Sequence, residues 1–452
     1  MECELFSATG PAGSECLNSE CLNSQYLKKE VSKRALVGAL ALVVVLGLAE
    51  GAMPAQAQTF SVLYTFTGTP DGAGPGQSNL VEANGAFYST TNAGGVYGFG
   101  AIVEVNSKGQ EKVLYSFTGG ADGATPSATL VRDSKGNLYG TAQNGGDPSC
   151  VLIGVGCGVV YKLDTTGKQT VLYSFTGGTD GANPQGVIID SAGHLYGTTF
   201  FGGNGQTCPF GSAGCGVVYE LAPQDNGWTE TVLYAFSGFT DGATPNGFLT
   251  RDGEGNLYGA TISGGNMAQC SGSGCGLVFK LNRSGKETPL YTFTGGADGA
   301  SPNGSLLADS KGNLYGTAAA GGDLSCNYSP FAVGCGVVFE LMTTRQERVM
   351  HTFTGGTGDG ASPSYGLVRG PGGNFYSTTV YGGTSDVGTV FEVTAKGAER
   401  VLYSFRGSAD GGYPQSGLVR DAKGNLYSNT SEGGDLSCDP PYGCGTVFEL
   451  FP

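Results

Sequence analysis

The chain has 452 residues, among them 82 Gly and 13 Cys, with a formal net charge of −15 and only 13% charged residues. Disorder needs low hydrophobicity with high charge, so the glycine marks many turns between many short strands. The acidity accounts for solubility, and no basic stripe is present that would suit a nucleic acid.

In chain order, the first feature is an address. Lys28, Lys29, Lys33 and Arg34 precede an apolar run from Ala35 to Ala49, followed by the small-residue site Ala55-Gln56-Ala57. This is the layout of a secretory signal peptide, and cleavage there leaves Gln58 as the first mature residue. The apolar run of 15 residues is short of the roughly 20 that cross a bilayer. A retained signal anchor is the rival reading, and no Cys follows the run to carry a lipid. Residues 1–57 are therefore expected to be removed, with Cys3, Cys16 and Cys21; Leu27 or Val31 as the true start would give a leader of ordinary length. Residues 58–452 form the mature protein, with no membrane span, placed outside the cell, on its surface or in a periplasm.

The mature part is one unit used seven times. A strand-like phrase of the Val-Leu-Tyr-Ser-Phe type is centred on Tyr64, Tyr115, Tyr173, Tyr234, Tyr291, His351 and Tyr403, at spacings of 51, 58, 61, 57, 60 and 52 residues. Each copy runs into a D-G-x-x-P loop, a short apolar strand such as 129–132, a turn such as 133–137, and a strand such as 138–141. A Gly-Gly loop and a last strand such as 158–163 complete it. Four short strands rich in β-branched and aromatic residues, separated by Gly, Asp and Asn turns, make an antiparallel meander. Its sevenfold repetition predicts an all-β fold, a seven-bladed β-propeller of four-stranded antiparallel blades. If the Leu-Val-Arg type of strand is innermost, the strand at 62–66 is a fourth, outermost strand with no blade of its own. It is expected to pair with the last blade, close the ring and cover an open edge. An open β-solenoid would want shorter coils and atypical capping repeats.

The ten mature cysteines fall as Cys150 with Cys157, Cys208 with Cys215, Cys270 with Cys275, Cys326 with Cys335, and Cys438 with Cys444, each pair in its own Gly-Gly loop. The first and sixth units lack both cysteines and the insertion that carries them. Paired loss predicts five disulfides, each within one loop, in an exported protein. Zinc would want four ligands at one place, and each pair offers two thiolates with no His nearby.

Candidate chemistry is sparse. His194 and His351 each replace a repeat residue and read as tolerated substitutions, so a Ser-His-Asp triad lacks its parts. Trp228 sits in a longer hairpin between third and fourth strands. Alternation puts the D-G-x-x-P and Gly-Gly loops on one face, with Asp71, Asp122, Asp180, Asp241, Asp298, Asp359 and Asp410 among them. Asp before Gly reads first as a turn residue; the functional reading is a carboxylate ring for sugar hydroxyls or a hard cation such as calcium. No other cofactor is indicated. Arg132, Arg251, Arg369 and Arg420 break the sevenfold pattern at one first-strand position, and either enter the central channel as an anion site or pair with neighbours.

The unit V-L-Y-S-F-T-G-G-x-D-G-A-x-P, then L-V-R-D-x-x-G-N-L-Y-G-T, then G-G and G-C-G-V-V-F-E-L, resembles the GloVer tandem repeat of bacterial exported proteins, from Phe60 to the C-terminus. The resemblance implies surface or secreted placement and a propeller-like fold, and carries over no catalytic residue. The function expected is a binding or scaffolding module for glycan or protein. The alternatives are a carboxylate-based glycoside hydrolase or lyase and a purely structural envelope protein.

Overall fold

The computed structural model describes residues 58–451, apart from 77, 151–155, 204–207, 209–213, 327, 329–332 and 364. The expected signal segment, its cleavage site and Cys3, Cys16 and Cys21 lie outside the described residues. Gln58–Pro452 form one compact unit. Among the described residues no helix is long and apolar enough to cross a membrane.

Seven four-stranded antiparallel blades make a β-propeller. Blade 1 contains Val81–Ala83, Ala86–Thr91, Ala101–Asn106 and Glu111–Ser116; blade 2 contains Val131–Arg132, Leu138–Ala142, Val159–Leu163 and Gln169–Ser174. Blade 3 contains Ala182–Ile189, Leu195–Phe201, Val217–Gln224 and Gly227–Ala235. Blade 4 has a split first strand, Ala243–Pro245 and Thr250–Arg251, before Leu257–Ser263, Leu277–Leu281 and Glu287–Thr292. Blade 5 contains Ala300–Ala308, Leu314–Ala320, Val337–Leu341 and Glu347–Thr352, and blade 6 Val368–Arg369, Phe375–Thr379, Thr389–Val393 and Glu399–Ser404. Blade 7 joins Val419–Arg420, Leu426–Thr430 and Thr446–Phe451 to a fourth strand from the other end of the described residues, Thr59–Thr65.

That pairing begins at Thr59 opposite Phe451, three residues earlier than the repeat phrase suggests. The ring is not closed by a hydrogen-bonded sheet, because each blade is its own sheet and neighbouring blades meet face to face. What joins them is packing. Phe66, Phe117, Phe175, Phe236, Phe293, Phe353 and Phe405, the last residues of the repeated phrase, are all 0% exposed. Six of them meet an aromatic or apolar ring of the next blade's third strand edge-on, as Phe117 meets Tyr161 at 5.1 Å and Phe293 meets Phe339 at 5.3 Å. The core is thus divided into seven clusters, one in each seam. Edge-to-face pairs add about 1 kcal/mol each beyond burial.

A second device repeats on one face. The residue before the loop proline takes a left-handed backbone in every unit: Gly74, Thr125, Asn183, Thr244, Ser301, Ser362 and Tyr413. Its N–H donates to a carbonyl of the preceding blade's Gly-Gly loop, as Thr244 does to Cys215 at 2.8 Å and Gly74 to Cys444 at 3.1 Å. The following proline lies against a glycine of that same loop; a Cβ on Gly216 would stand 2.6 Å from Pro245 Cδ, and one on Gly445 2.7 Å from Pro75 Cδ. The seam between last and first units therefore carries the same clamp as the others.

Candidate functional site

The Gly-Gly loops fold back onto the D-G-x-x-P loops through one repeated hydrogen bond, from the second glycine N–H to a loop carbonyl: Gly146 to Gly120, Gly203 to Gly178, Gly322 to Gly296 and Gly434 to Ser408, at 2.8–3.0 Å. Both loop sets therefore form one face. The five disulfides join Cys150–Cys157, Cys208–Cys215, Cys270–Cys275, Cys326–Cys335 and Cys438–Cys444, all on that face and each within its own loop.

The loop aspartates are engaged inside their own blades. Asp71, Asp122, Asp180, Asp241, Asp298 and Asp410 each accept the phenol proton of the tyrosine seven residues earlier, at 2.6–3.1 Å. They also accept the backbone N–H four residues earlier, for example Thr176 to Asp180 at 2.8 Å and Ser237 to Asp241 at 2.8 Å. The clasp reaches backward to the strand end rather than forward as an Asx-turn does. Asp71 and Asp180 are buried and the others half-buried, and these carboxylates hold the loop.

Asp359 is the exception. Its loop is one residue longer, His351 stands in the tyrosine's place, and His351 Nε2 lies 3.5 Å from Asp359 Oδ1. Thr354 N–H and Gly360 N–H donate to the two carboxylate oxygens at 2.8 and 2.7 Å.

A residue class that sequence reading passed over faces these aspartates across each seam. Four residues before the tyrosine or histidine of each fourth strand stand Glu111, Gln169, Glu230, Glu287, Glu347 and Glu399, with Phe60 in the composite blade. Burial, and then the neighbouring aspartate of the previous loop, push Glu111, Glu230, Glu287, Glu347 and Glu399 up to about 7. The Oε1 atom of each is shielded from solvent and without a hydrogen-bond partner. Gln169 solves the same position by donating Nε2–H to the Asp122 carbonyl at 3.1 Å, and Phe60 by stacking on Tyr403 at 3.8 Å. The signal was the recurrence of Glu at one offset in five of the seven units.

Two of the four arginines rest on aromatic rings of the preceding blade. Arg251 lies over the Tyr196 ring at 5.4 Å and 3.6 Å from Asp190, both in the preceding blade or its turn. Arg369 lies 5.3 Å from the Tyr315 ring centre. Arg132 and Arg420 sit near the corresponding tyrosines, Tyr88 and Tyr376, whose phenols burial pushes up and whose rise these arginines partly offset. None of the four lines the axial cavity. That cavity, about 70 Å³, is bounded by Asn79, Ser127, Gln185, Asn246, Asn303 and Tyr365 among others, and has room for a few waters. His194 pairs with Glu220 at 2.7 Å, and Trp228 packs edge-on to Tyr139 at 6.4 Å.

The loop face has one further property. Of nine strongly exposed large apolar residues among those described, eight lie on its loops: Val96, Tyr97, Phe99, Phe239, Leu324, Val333, Leu436 and Tyr442. Beside Tyr442, at the junction of the last and first units, Asn92, Gln415, Ser431, Glu432 and Asp439 line a cleft of about 330 Å³.

Comparison with known proteins agrees with this architecture. The Gloeobacter/Verrucomicrobia repeat matches residues 52–208, 153–329 and 324–452. No curated protein matches the chain. Among solved structures, the chain is similar to the extracellular domain of a protein described as a hybrid two-component system of B. thetaiotaomicron, at 13% identity and a TM-score of 0.50. That match covers 88% of this chain but 42% of the other, so the chain spans less than half of that protein's length. A gluconolactonase from Xanthomonas campestris aligns at 11% identity and a TM-score of 0.40, over 87% of this chain and 89% of its own. At 13% identity the likeness to the extracellular domain extends to the fold alone.

Proposed function

We propose, from the premise that the chain belongs to the Gloeobacter/Verrucomicrobia repeat family, that it is an exported binding module whose working surface is the disulfide-bearing loop face. The observation that carries this reading is the gathering of eight of the nine exposed large apolar residues on that face. Apolar side chains left in water on one side of an otherwise well-packed ring mark a contact surface. Two of the disulfide loops, Cys326–Cys335 and Cys438–Cys444, hold Val333 and Tyr442 in place before a partner arrives, with Leu324 and Leu436 just before them, which lowers the entropy lost on binding.

Glycan is the partner class best suited to it. Tyr97, Phe99, Phe239 and Tyr442 offer flat rings to sugar faces, and the cleft beside Tyr442 offers amide and carboxylate groups to hydroxyls. Several loops of similar design on one ring would gain on a polymer by avidity. A carboxylate-based hydrolase needs two free carboxyls across a substrate cleft, whereas the loop aspartates are spent on their own blades.

The test is a glycan array with the mature, oxidised protein, followed by Tyr97→Ala and Tyr442→Ala. Binding to a polysaccharide that weakens at least 10-fold in either variant is expected. Binding unchanged in both, or no glycan bound by folded protein, would overturn the reading; an unbound array together with capture of a protein partner would redirect it to that class.

A further inference from the structure

At six of the seven seams the loop aspartate is satisfied by a tyrosine: Tyr64, Tyr115, Tyr173, Tyr234, Tyr291 or Tyr403. The seam between blades 5 and 6 departs from this in two ways at once. His351 replaces the tyrosine, and the loop gains a residue, so that Asp359 follows it by eight positions instead of seven. Together they bring an imidazole and two carboxylates, His351, Asp359 and Glu399, to within 4.8 Å of one another.

Two of the three groups that meet there are left with an unsatisfied atom by the protein. His351 Nε2 and Glu399 Oε1 are both shielded from solvent and both lack a hydrogen-bond partner. His351 Nε2 stands 3.5 Å from Asp359 Oδ1, at the outer limit of a hydrogen bond. That separation suits two ligands of one cation, since tetrahedral bonds of about 2.1 Å place ligand atoms about 3.4 Å apart. Phe353 packs edge-on to the imidazole at 4.7 Å and fixes its plane. The backbone N–H groups of Thr354 and Gly360 fix the Asp359 carboxylate from behind.

We propose that His351, Asp359 and Glu399 form a binding site for one divalent transition-metal ion, of the zinc or manganese type, bridging the outer strands of blades 5 and 6. One nitrogen and two carboxylate oxygens suit such an ion better than calcium, which asks for six to eight oxygens. Three protein ligands leave at least one position for water or for a group on a partner. The ion relieves the repulsion between the Asp359 and Glu399 carboxylates and replaces the tyrosine proton that serves at the other seams.

The experiment uses untagged, oxidised mature protein, stripped with chelator and titrated calorimetrically with zinc, manganese and calcium, with metal content measured after dialysis. Two variants keep each seam within the repeat's own repertoire: His351→Tyr restores the residue found at six seams, and Glu399→Gln copies Gln169. One zinc or manganese ion per chain is expected, bound at least 10-fold more weakly by either variant, with all three proteins melting alike in chelator. A cobalt-loaded sample should show ligand-field bands that His351→Tyr abolishes. Folded protein that binds none of these ions, variants that bind as the parent does, or calcium binding indifferent to His351 would each overturn the site.

Discussion

At the scale of single residues, the motifs that define the repeat are explained by contact between neighbouring units. The glycine that follows the second cysteine, as in Gly214-Cys215-Gly216, has φ +89° at Gly216 and lies under the next blade's proline. The proline in turn fixes a preceding residue in a left-handed backbone whose N–H reaches the Cys215 carbonyl. Non-glycine residues held there cost about 1–3 kcal/mol apiece, and the clamp they form must return more than that. Gly216→Ala tests it, because the new Cβ would meet both the Thr199 carbonyl and Pro245 Cδ, the latter at 2.6 Å. A loss of about 3 kcal/mol is expected from backbone strain and overpacking together, read as a lowered denaturant midpoint. Gly253→Ala, where a Cβ meets nothing within 4 Å, should leave the midpoint in place. Equal effects at the two positions would remove the clamp from the account.

At the scale of the element, the fourth strand explains both what could be read from the sequence and what could not. Strand order, turn positions and the pairing of cysteines follow from periodicity and local composition, and these were legible. Every fourth strand, however, carries a one-residue bulge, at Leu63, Leu114, Leu172, Leu233, Leu290, Met350 and Leu402. A bulge breaks the two-residue alternation, so the side facing of Glu111 or Glu230 relative to the tyrosine could not be deduced. The arginines were equally undecidable, because in blades 2, 6 and 7 they end strands of only two residues. The bulge has a consequence for pH. Glu111, Glu230, Glu287 and Glu347 are raised from an ordinary 4.5 to about 7, chiefly by burial and then by the neighbouring aspartate. Between those two values the folded protein holds more protons than the unfolded chain, so stability falls as pH rises. The contribution is fully present below the unfolded value and lost as pH passes 7. Discounted for partial exposure, each glutamate is expected to contribute on the order of 1 kcal/mol. The melting temperature should therefore decline from pH 5 to pH 8, and Glu230→Gln with Glu287→Gln should flatten that decline by supplying the neutral donor that Gln169 already provides. Carboxyls held low by their turns, such as Asp133 and Asp309, act on the acid side of this window. A melting temperature that rises across the window, or variants with the parent's slope, would show that these glutamates stay charged.

At the scale of the whole molecule, stability depends on a strand that the chain contributes from its far end. Without Thr59–Thr65, the third strand Thr446–Phe451 would become the outer edge of blade 7, with one side of its ladder unpaired. Phe60 would no longer stack on Tyr403 or pack against Phe405 and Phe448, at 5.8 and 5.4 Å. Phe66, fully buried, would leave the seam between blades 7 and 1. Losing one buried phenylalanine costs about 3–5 kcal/mol, and with the half-buried Phe60 added the loss is a large share of the roughly 5–15 kcal/mol that holds an ordinary domain together. Mature protein lacking residues 58–66 is therefore expected to associate through the bared edge, seen as oligomers in light scattering. The milder Phe60→Ala, at a half-buried position, should stay monomeric and lose about 1–2 kcal/mol. Strand pairing also predicts rescue: a separate peptide of residues 58–66, added to the truncated protein as it refolds, should dock by strand addition and restore the monomer. A scrambled peptide of the same composition should not. If the truncated protein is monomeric and as stable as its parent, the first strand does not hold the last blade. If the native and scrambled peptides rescue alike, the effect is solubilisation, and the register pairing Thr59 with Phe451 is not what joins the two ends.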